Sequence, residues 1–424
     1  RGKGHHLWDD QGRQYIDGAS GGVGAVLIGH AVPEVVKVMA EQAATLCHAH
    51  ISQFVNKPQI QLADLIIADF APPGMSHVYF VSTGTEATEL AVKMSRIYHI
   101  QKGRATRFKV VCRWNGYHGS SLGALSYSGR SCRRHRFHPY YFKSAFMSAP
   151  YCYRCPYDRN YPECGLKCAW ELEDVIRREG VDVVSAFIGE PYINTAGAIG
   201  APPEYYGIIR EICDKYDILM IMDEVITGWG RVGTKFAIDQ WNVVPDFICT
   251  GKGIASGYSP LGATIVHEKV VKVLEETGES VEGYTYGGNP FSCATGKAVL
   301  TYIKEEGLVA RAAEEGAYFQ SRARSLLESP LVGDIRGSGM LVGVEYVTDR
   351  DNKNPFPRQK RLCETITDVA FRKGLVTCPI SSGANGIDGD ATAIKPPLTT
   401  PRSDLDRIVD IMAETLEEVH QTSL

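Results

Sequence analysis

The sequence predicts an α/β fold in which helices cover a mostly parallel sheet, with a smaller α+β domain beside it. Between about residues 77 and 252, near-continuous apolar runs alternate with amphipathic helical patterns, which is typical of parallel strands buried on both faces. After about residue 290 the pattern changes to long helical segments with fewer apolar strands. We therefore expect a large domain over residues 47–290 and a small domain formed by residues 1–46 and 291–424.

The individual elements follow in chain order. Residues 7–17 predict a short hairpin with Gln11-Gly12 at its turn. A helix begins at Pro33, because proline is favoured in a first helical turn, and a second helix covers about residues 58–70. Buried strands are predicted in HVYFVST, FKVVCRW, VSAFIGEP, ILMIMDE, DFICTGK and MLVGVEYV. Further helices are predicted in TEATELAVKMSRIYHI, EYYGIIREICDKY, residues 357–373 and residues 402–420.

The composition excludes several classes of protein. The 424 residues are 44% hydrophobic and 22% charged, which is typical of globular chains. A formal net charge of −4 gives no electrostatic basis for binding nucleic acid or an anionic membrane. The longest apolar runs, such as Ile218–Met222, are far shorter than the roughly 20 residues that span a bilayer. No secretory signal pattern opens the chain, so we expect a cytoplasmic protein.

A turn from strand to helix provides a first candidate binding site. In VYFVSTGTEATELAVK, Gly84 and Thr85 lie where an apolar strand ends and a helix begins. Free backbone N–H groups and the helix dipole at such a point favour a phosphate group. An ordinary helix cap at a tight turn explains the same residues, so the motif alone does not decide.

Two charged residues lie at the ends of other buried strands. Asp223 follows the apolar run ILMIM, where a carboxylate is costly unless it meets a positive partner. Lys252 lies between two glycines just after another apolar strand, where a desolvated amine becomes nucleophilic. Alone, each residue is as well explained by a structural ion pair or a solvated side chain. Together with the phosphate site they match pyridoxal 5′-phosphate (PLP), which needs a lysine, an acidic partner and a phosphate cup.

The order of several motifs identifies a family. The stretches are STGTEATELAVKMSR, WNGYHGSS, IGEP, MDEVITGWGRVG, TGKGIASGYSPLGA, TYGGNP and IRGSGMLVGVE. On these the chain resembles the class III, fold-type I PLP-dependent aminotransferases, and among them the ω-transaminases, over essentially its whole length. The resemblance implies that Lys252 forms the Schiff base with PLP and shuttles the proton, and that Asp223 pairs with the pyridinium nitrogen. It also implies that Gly84 and Thr85 bind the phosphate.

The same resemblance assigns five further residues to the cofactor. Tyr117 would stack on one face of the ring with His118 lining that wall, and Val225 would lie against the other face. Glu190 would sit near the ring. Thr285 would reach the phosphate bound in the neighbouring subunit, so that a homodimer shares its active sites. Core packing is the alternative for Tyr117 and Val225, and a strand-end ion pair is the alternative for Glu190.

One position departs from the family pattern and bears on the substrate. Many members that act on α-amino acids carry an arginine three residues before the final Pro-Pro-Leu, to grip the substrate carboxylate. In GDATAIKPPL that position holds Ala393, and the nearest cation is Lys395. We therefore predict a primary amine, amino-alcohol or ω-amino acid as donor and a 2-oxo acid, pyruvate foremost, as acceptor. Arg231 or an N-terminal residue would bind the acceptor carboxylate.

Other reactions on the same scaffold remain as alternatives. They are α-amino-acid transfer, racemisation, a mutase or lyase reaction, and PLP binding without turnover, since Lys252 and Asp223 serve all of them equally.

Two unusual segments lie outside these motifs. CYRCPYDRNYPECGLKC brings four cysteines together: Cys152, Cys155, Cys164 and Cys168. A structural zinc ion, one or two disulfides, and free thiols all stay open, and we expect no metal in the active site. The basic run at residues 130–141 predicts a solvated loop or a grip on an anionic substrate.

Overall fold

A computed structural model describes residues 1–276, 281 and 283–422. The α-helices of that part of the chain are α1 (Pro33–Thr45), α2 (Lys57–Leu65), α3 (Gly84–Gln101), α4 (Leu122–Ser126), α5 (Ser131–Arg134), α6 (Lys167–Glu179), α7 (Tyr205–Tyr216), α8 (Glu268–Glu276), α9 (Pro290–Glu305), α10 (Leu308–Ala323), α11 (Leu362–Arg372) and α12 (Arg402–Thr422).

The strands are β1 (Gly2–Lys3), β2 (His6–Trp8), β3 (Gln14–Asp17), β4 (Met75–Val81), β5 (Lys109–Arg113), β6 (Ala145–Met147), β7 (Val184–Gly189), β8 (Tyr192–Ile193), β9 (Ile199–Gly200), β10 (Leu219–Asp223), β11 (Phe247–Thr250), β12 (Gly262–His267), β13 (Val332–Ser338), β14 (Leu341–Asp349), β15 (Asn354–Pro355), β16 (Leu375–Val376), β17 (Cys378–Ile380) and β18 (Ala391–Ile394).

A seven-stranded sheet forms the centre of the fold, in the order β4-β12-β11-β10-β7-β5-β6. Neighbouring strands from β11 to β6 are parallel, and β12 runs antiparallel to both β4 and β11. Every residue of β7, β10 and β11 is buried, which explains why their sequences are apolar without alternation. Helix α3 packs on one face of the sheet, and α6 and α7 pack on the other. The predicted α/β class with a mostly parallel sheet is confirmed.

The direction of the strands gathers the site residues. Strands β4, β5, β7, β10 and β11 all point the same way, so their carboxyl ends lie along one edge of the sheet. Each of these strands ends at, or is closely followed by, a residue that the sequence analysis selected: Gly84, Tyr117, Glu190, Asp223 and Lys252 in that order. In open α/β sheets ligands bind outside this edge.

The two ends of the chain meet outside the central sheet. Strand β3 pairs in parallel with β16, with Ile16 opposite Leu375, in a four-stranded sheet β1-β2-β3-β16. A second, antiparallel sheet contains β13, β14, β18 and β17, with β15 added to β14. Helices α10 and α11 pack beside these strands, and α12 packs on α10 and α11. The domain limits at residues 46/47 and 290/291 stay a prediction.

Across the described residues, every helix is too short or too polar to cross a lipid bilayer.

Candidate active site

A cavity of about 650 Å³ opens at the carboxyl edge of the central sheet. That volume lies in the range that proteins use for cofactors and small substrates. All the predicted cofactor-binding residues except Thr285 line it: Gly84, Thr85, Tyr117, His118, Glu190, Asp223, Val225 and Lys252. Thr285 lies in an exposed turn before α9 and does not line the cavity of its own chain.

Asp223 is the last residue of β10, and its carboxylate is buried at the floor of the cavity. Oδ2 lies 2.8 Å from Nδ1 of His118, and Oδ1 accepts a hydrogen bond of 3.1 Å from the Val225 backbone N–H. His118 is itself buried, and its Nε2 atom has no hydrogen-bond partner in the described part of the chain. The imidazole therefore holds the carboxylate in one orientation.

Lys252 follows β11 in a tight turn between two glycines. Its backbone φ is +42°, a left-handed conformation that residues other than glycine rarely adopt. Burial lowers the pKa of the Lys252 amine to about 8, while Asp223 opposes that shift and the charge of Lys395 adds to it. Within the described residues the amine has no hydrogen bond or ion pair, so it is available to a ligand.

The first turn of α3 closes one end of the cavity. Thr83 caps the helix by accepting a hydrogen bond from the Glu86 N–H at 3.2 Å, and the Glu86 carboxylate accepts one from the Ser82 N–H at 2.7 Å. These contacts fix the turn and leave Gly84 and Thr85 at the cavity wall. The positive end of an 18-residue helix thus faces the cavity, as the phosphate hypothesis requires.

Tyr117, Val225 and Glu190 form the walls near Asp223. The Tyr117 backbone N–H donates to Glu190 Oε1 at 2.9 Å, which ties the loop after β5 to the end of β7. Burial raises the pKa of the Glu190 carboxyl to about 7, nearby Asp223 raises it further, and His118 opposes the shift. The methyl groups of Val225 lie against Gly84, where an added Cβ would approach them to 2.6 Å. A side chain larger than hydrogen therefore does not fit at Gly84.

Comparison with known proteins decides the family. A model of the aminotransferase class-III family matches residues 1–416. The chain belongs to the class III aminotransferases. It is 36% identical to the diaminobutyrate–2-oxoglutarate transaminase of Halomonas elongata, over 96% of this chain and 87% of that one. It is 34% identical to the putrescine–pyruvate aminotransferase of Pseudomonas aeruginosa, over 98% of this chain and 89% of that one.

Solved structures agree with this assignment. An (S)-enantioselective ω-transaminase from Thermomicrobium roseum superimposes with a TM-score of 0.92 at 34% identity, over 99% of this chain and 92% of the other. An amine transaminase from an uncultivated Pseudomonas species, in its PLP-bound form, has a TM-score of 0.92 at 32% identity, over 100% and 94%. The protein is therefore a fold-type I aminotransferase, and PLP is its cofactor.

The residues of this aminotransferase fit PLP. Asp223 offers a buried, oriented carboxylate for a ring nitrogen, and Lys252 offers an amine without a partner. The start of α3 offers backbone N–H groups for a phosphate. The cavity lining also includes the flat ring of Tyr117 and the branched side chain of Val225, which suit packing against an aromatic ring.

Two cations of the aminotransferase lie where the sequence analysis did not expect them. Arg231 is fully buried outside the cavity lining, where its guanidinium donates to the Pro396 carbonyl and to Ser20 Oγ. Lys395 instead lines the cavity. The sequence could have indicated Lys395, because it directly precedes the Pro-Pro-Leu motif. It could not show that the side chain points into the cavity.

The two unusual segments differ in their relation to the cavity. The basic run contributes Arg130 and Arg133 to the lining, so it is not a wholly solvated loop. The four clustered cysteines lie away from the lining and all have free thiols. Among the described residues, the groups whose ligand atoms lie within 4.8 Å of one another do not include these cysteines.

Proposed function

We propose that this aminotransferase moves an amino group from a primary amine, amino-alcohol or ω-amino acid to a 2-oxo acid, with pyruvate as the foremost acceptor. The observation that carries the proposal is Ala393, which stands where α-amino-acid-specific relatives place an arginine. Its methyl group is fully buried in β18 and does not line the cavity. The donor therefore meets no guanidinium fork from this strand, which disfavours donors whose carboxylate adjoins the amine.

Relatives support both halves of the proposal. The Pseudomonas aeruginosa relative is named for a primary diamine and pyruvate, and the Thermomicrobium roseum structure is an ω-transaminase. The Halomonas elongata relative is named for 2-oxoglutarate, so the acceptor differs among similar chains. Pyruvate is preferred here because the cavity wall contributed by the C-terminal segment is mostly apolar and contains a single cation: Cys378, Pro379, Ile380 and Lys395.

PLP, when bound, would supply an aldehyde that takes up the amino group and a ring that accepts electrons. Lys252 holds the cofactor through its amine and then carries a proton from the donor carbon. Because its pKa is lowered to about 8, a useful fraction of the amine is neutral near pH 7 to 8 and able to accept that proton. Asp223 keeps a proton on the ring nitrogen, and His118 fixes the carboxylate for this task.

The remaining residues bind and orient. Tyr117 and Val225 hold the ring between them, and the N–H groups at Gly84 and Thr85 bind the phosphate dianion. Glu190 stabilises the loop that carries Tyr117 through its 2.9 Å hydrogen bond. We also propose a homodimer in which exposed Thr285 reaches the phosphate in the partner subunit. The cytoplasmic location stays a prediction.

A donor panel tests the proposed function. The holoenzyme is incubated with pyruvate and, in turn, with a primary amine, an amino-alcohol, an ω-amino acid and several α-amino acids. Alanine is left out because transfer to pyruvate forms it. We expect the donors without an α-carboxylate to have the higher kcat/KM. Higher values for the α-amino acids would contradict the proposed donor class.

A second measurement separates transfer from the other reactions of the scaffold. With donor alone, an aminotransferase changes the absorbance of its bound cofactor stoichiometrically and releases a carbonyl product, and pyruvate then restores the original spectrum. A racemase, mutase or lyase does not show this donor-then-acceptor cycle. A chain that binds PLP without turnover shows no change with any donor.

A further inference from the structure

Lys395 is held in the cavity by both ends of the chain. It follows β18, and its backbone N–H donates to the Gly18 carbonyl at 2.8 Å. Its own carbonyl accepts a 2.7 Å hydrogen bond from Ser20 Oγ. The side chain then runs beside Gly24, where an added Cβ would lie 3.1 Å from Lys395 Cε. The ammonium group is therefore directed by packing and by main-chain contacts.

Among the residues that the structure describes, no carboxylate pairs with the ammonium group of Lys395. The side chain is fully buried, and Nζ donates to Asn194 Oδ1 at 3.2 Å. Within the described residues, no carboxylate lies within 4 Å of Nζ, the limit for an ion pair. Besides Asn194, the Cys378 thiol favours the charged form of the amine. Burial lowers the pKa of the Lys395 amine and the charge of Arg231 adds to that shift, so an anion that joins the amine during function stabilises its charged form.

The other cations near the cavity are placed differently. Arg130 donates to the carbonyls of Thr195 and Ser381, so its guanidinium already has partners. Arg133 is exposed at the mouth. Lys395 is close enough to Lys252 for its charge to lower the pKa of that amine. Lys395 is thus a buried lysine of the cavity lining whose charge acts on the Lys252 amine.

We propose that Lys395 binds the carboxylate of the 2-oxo acid acceptor, with Asn194 as the positioning residue for its ammonium group. The inference rests on the proposed function and names the residue that replaces the missing arginine. An ammonium group has three donors, so after Asn194 and the Cys378 thiol one remains for a carboxylate. A lysine acts as a point charge, without the two-pronged geometry of arginine. The site therefore accepts a small oxo acid without requiring an α-carboxylate on the donor.

The test compares two acceptors that differ by the carboxylate. Holoenzyme and the Lys395→Met variant are assayed with one amine donor and either pyruvate or propanal. Losing a charged hydrogen bond costs roughly a factor of 10 to 100. We expect the ratio of kcat/KM for pyruvate to that for propanal to fall by about this factor. The donor-only absorbance change is recorded for both proteins, because the charge of Lys395 also lowers the pKa of the Lys252 amine. An effect on Lys252 is common to both acceptors and cancels in the ratio.

Two further variants make the outcome decisive. Arg133→Met changes a second cation of the cavity and should keep the pyruvate preference. Lys395→Arg keeps the charge and should retain part of the preference. If Lys395→Met lowers kcat/KM equally for pyruvate and propanal, the role of Lys395 is structural and the proposal is wrong. If Arg133→Met loses the preference instead, Arg133 is the carboxylate site and the proposal is again wrong.

A binding measurement keeps the inference separate from the proposed function. Propionate has the carboxylate but no reacting carbonyl, and its binding is followed by the absorbance of bound cofactor without any turnover. The wild-type protein should bind propionate at least tenfold more tightly than Lys395→Met, and Lys395→Gln should resemble Lys395→Met. Equal binding would overturn the role of Lys395 whatever the donor panel shows. Failure of every donor to transfer would instead overturn the proposed function.

Discussion

Nδ1 of His118 lies 2.8 Å from Oδ2 of Asp223, and both side chains are buried beneath the cavity. The first residue comes from the loop after β5 and the second from the end of β10, so two separate strands fix one carboxylate. The partnerless Nε2 of His118 lies on the far side of the ring. A carboxylate held in this way keeps its charge directed at whatever occupies the cavity.

The first prediction concerns this pair. Asp223→Asn keeps the size of the side chain and removes the charge that we propose holds a proton on the ring nitrogen. We expect kcat to fall by about 10²–10³-fold, the cost of removing a preorganised electrostatic group. His118→Asn leaves the carboxylate charged but loosens it, and should cost about 10–100-fold, as supporting residues of ligand groups do. Steady-state kinetics with one amine donor measure both, and an equal loss in the two variants would contradict the division of roles.

The second prediction concerns the pH dependence of Lys252. Only the neutral amine attacks an aldehyde, and burial lowers the pKa of this amine to about 8. The rate at which cofactor-free protein captures PLP covalently should therefore rise with pH through a midpoint near 8. An ordinary lysine would place the midpoint near 10.4. Borohydride trapping followed by peptide mass spectrometry measures the modified fraction, and a midpoint above 10 would show that Lys252 is not desolvated.

The third prediction concerns the contact between Gly84 and Val225. An added Cβ at Gly84 meets the Val225 methyl groups at 2.6 and 2.8 Å, so Gly84→Ala must displace the wall that faces the ring. Overpacking of this kind costs about 1–3 kcal/mol, and we expect PLP to bind roughly 10–100-fold more weakly. Gly207→Ala is a matched control, because Gly207 is exposed on α7 and an added Cβ there meets nothing within 4 Å. That variant should bind PLP normally.

The fourth prediction concerns Thr285. Thr285→Val keeps the shape of the side chain and removes one hydroxyl donor. If that hydroxyl reaches the phosphate bound in a partner subunit, PLP should bind about tenfold more weakly, as expected for a lost hydrogen bond to a charged group. Sedimentation should show a dimer for both proteins. A monomeric wild-type protein that binds PLP fully would contradict the shared site.

Much of this site follows from the sequence because parallel strands align their carboxyl ends. The residues after ILMIM and FICT belong to neighbouring parallel strands, so Asp223 and Lys252 lie at one edge. The alternation of side chains along Met222-Asp223-Glu224 did not by itself show which of the two carboxylates enters the cavity. Glu224 is as buried as Asp223, but it turns away to accept hydrogen bonds from the Ala237 and Ile238 N–H groups. The sequence analysis selected Asp223 because it directly follows the apolar run, and Asp223 rather than Glu224 lines the cavity.

The parts that the sequence did not predict depend on long-range contacts. Strand β12 is a short apolar run, and nothing in its local pattern determines that it runs antiparallel between β4 and β11. The helix predicted from residue 357 begins instead at Leu362, because Arg361 adopts a left-handed φ of +49°. Nζ of Lys395 donates a hydrogen bond to Asn194, which lies 201 residues away in the sequence. Such a pairing is set by the packing of β18 against the N-terminal loop.

The fifth prediction concerns stability and the carboxyl group of Glu190. Its pKa rises from an ordinary value of 4.5 when unfolded to about 7 in the folded chain, chiefly through burial. Between these values the folded chain binds the proton and the unfolded chain does not, so stability falls as the pH rises. Glu190→Gln removes this titration and keeps an oxygen for the Tyr117 N–H. We therefore expect the Tm of the variant, relative to wild type, to increase from pH 5 to pH 7.5. Thermal unfolding at matched cofactor content measures the two Tm values. A Tm difference that stays constant with pH would show that Glu190 is already ionised in the folded protein.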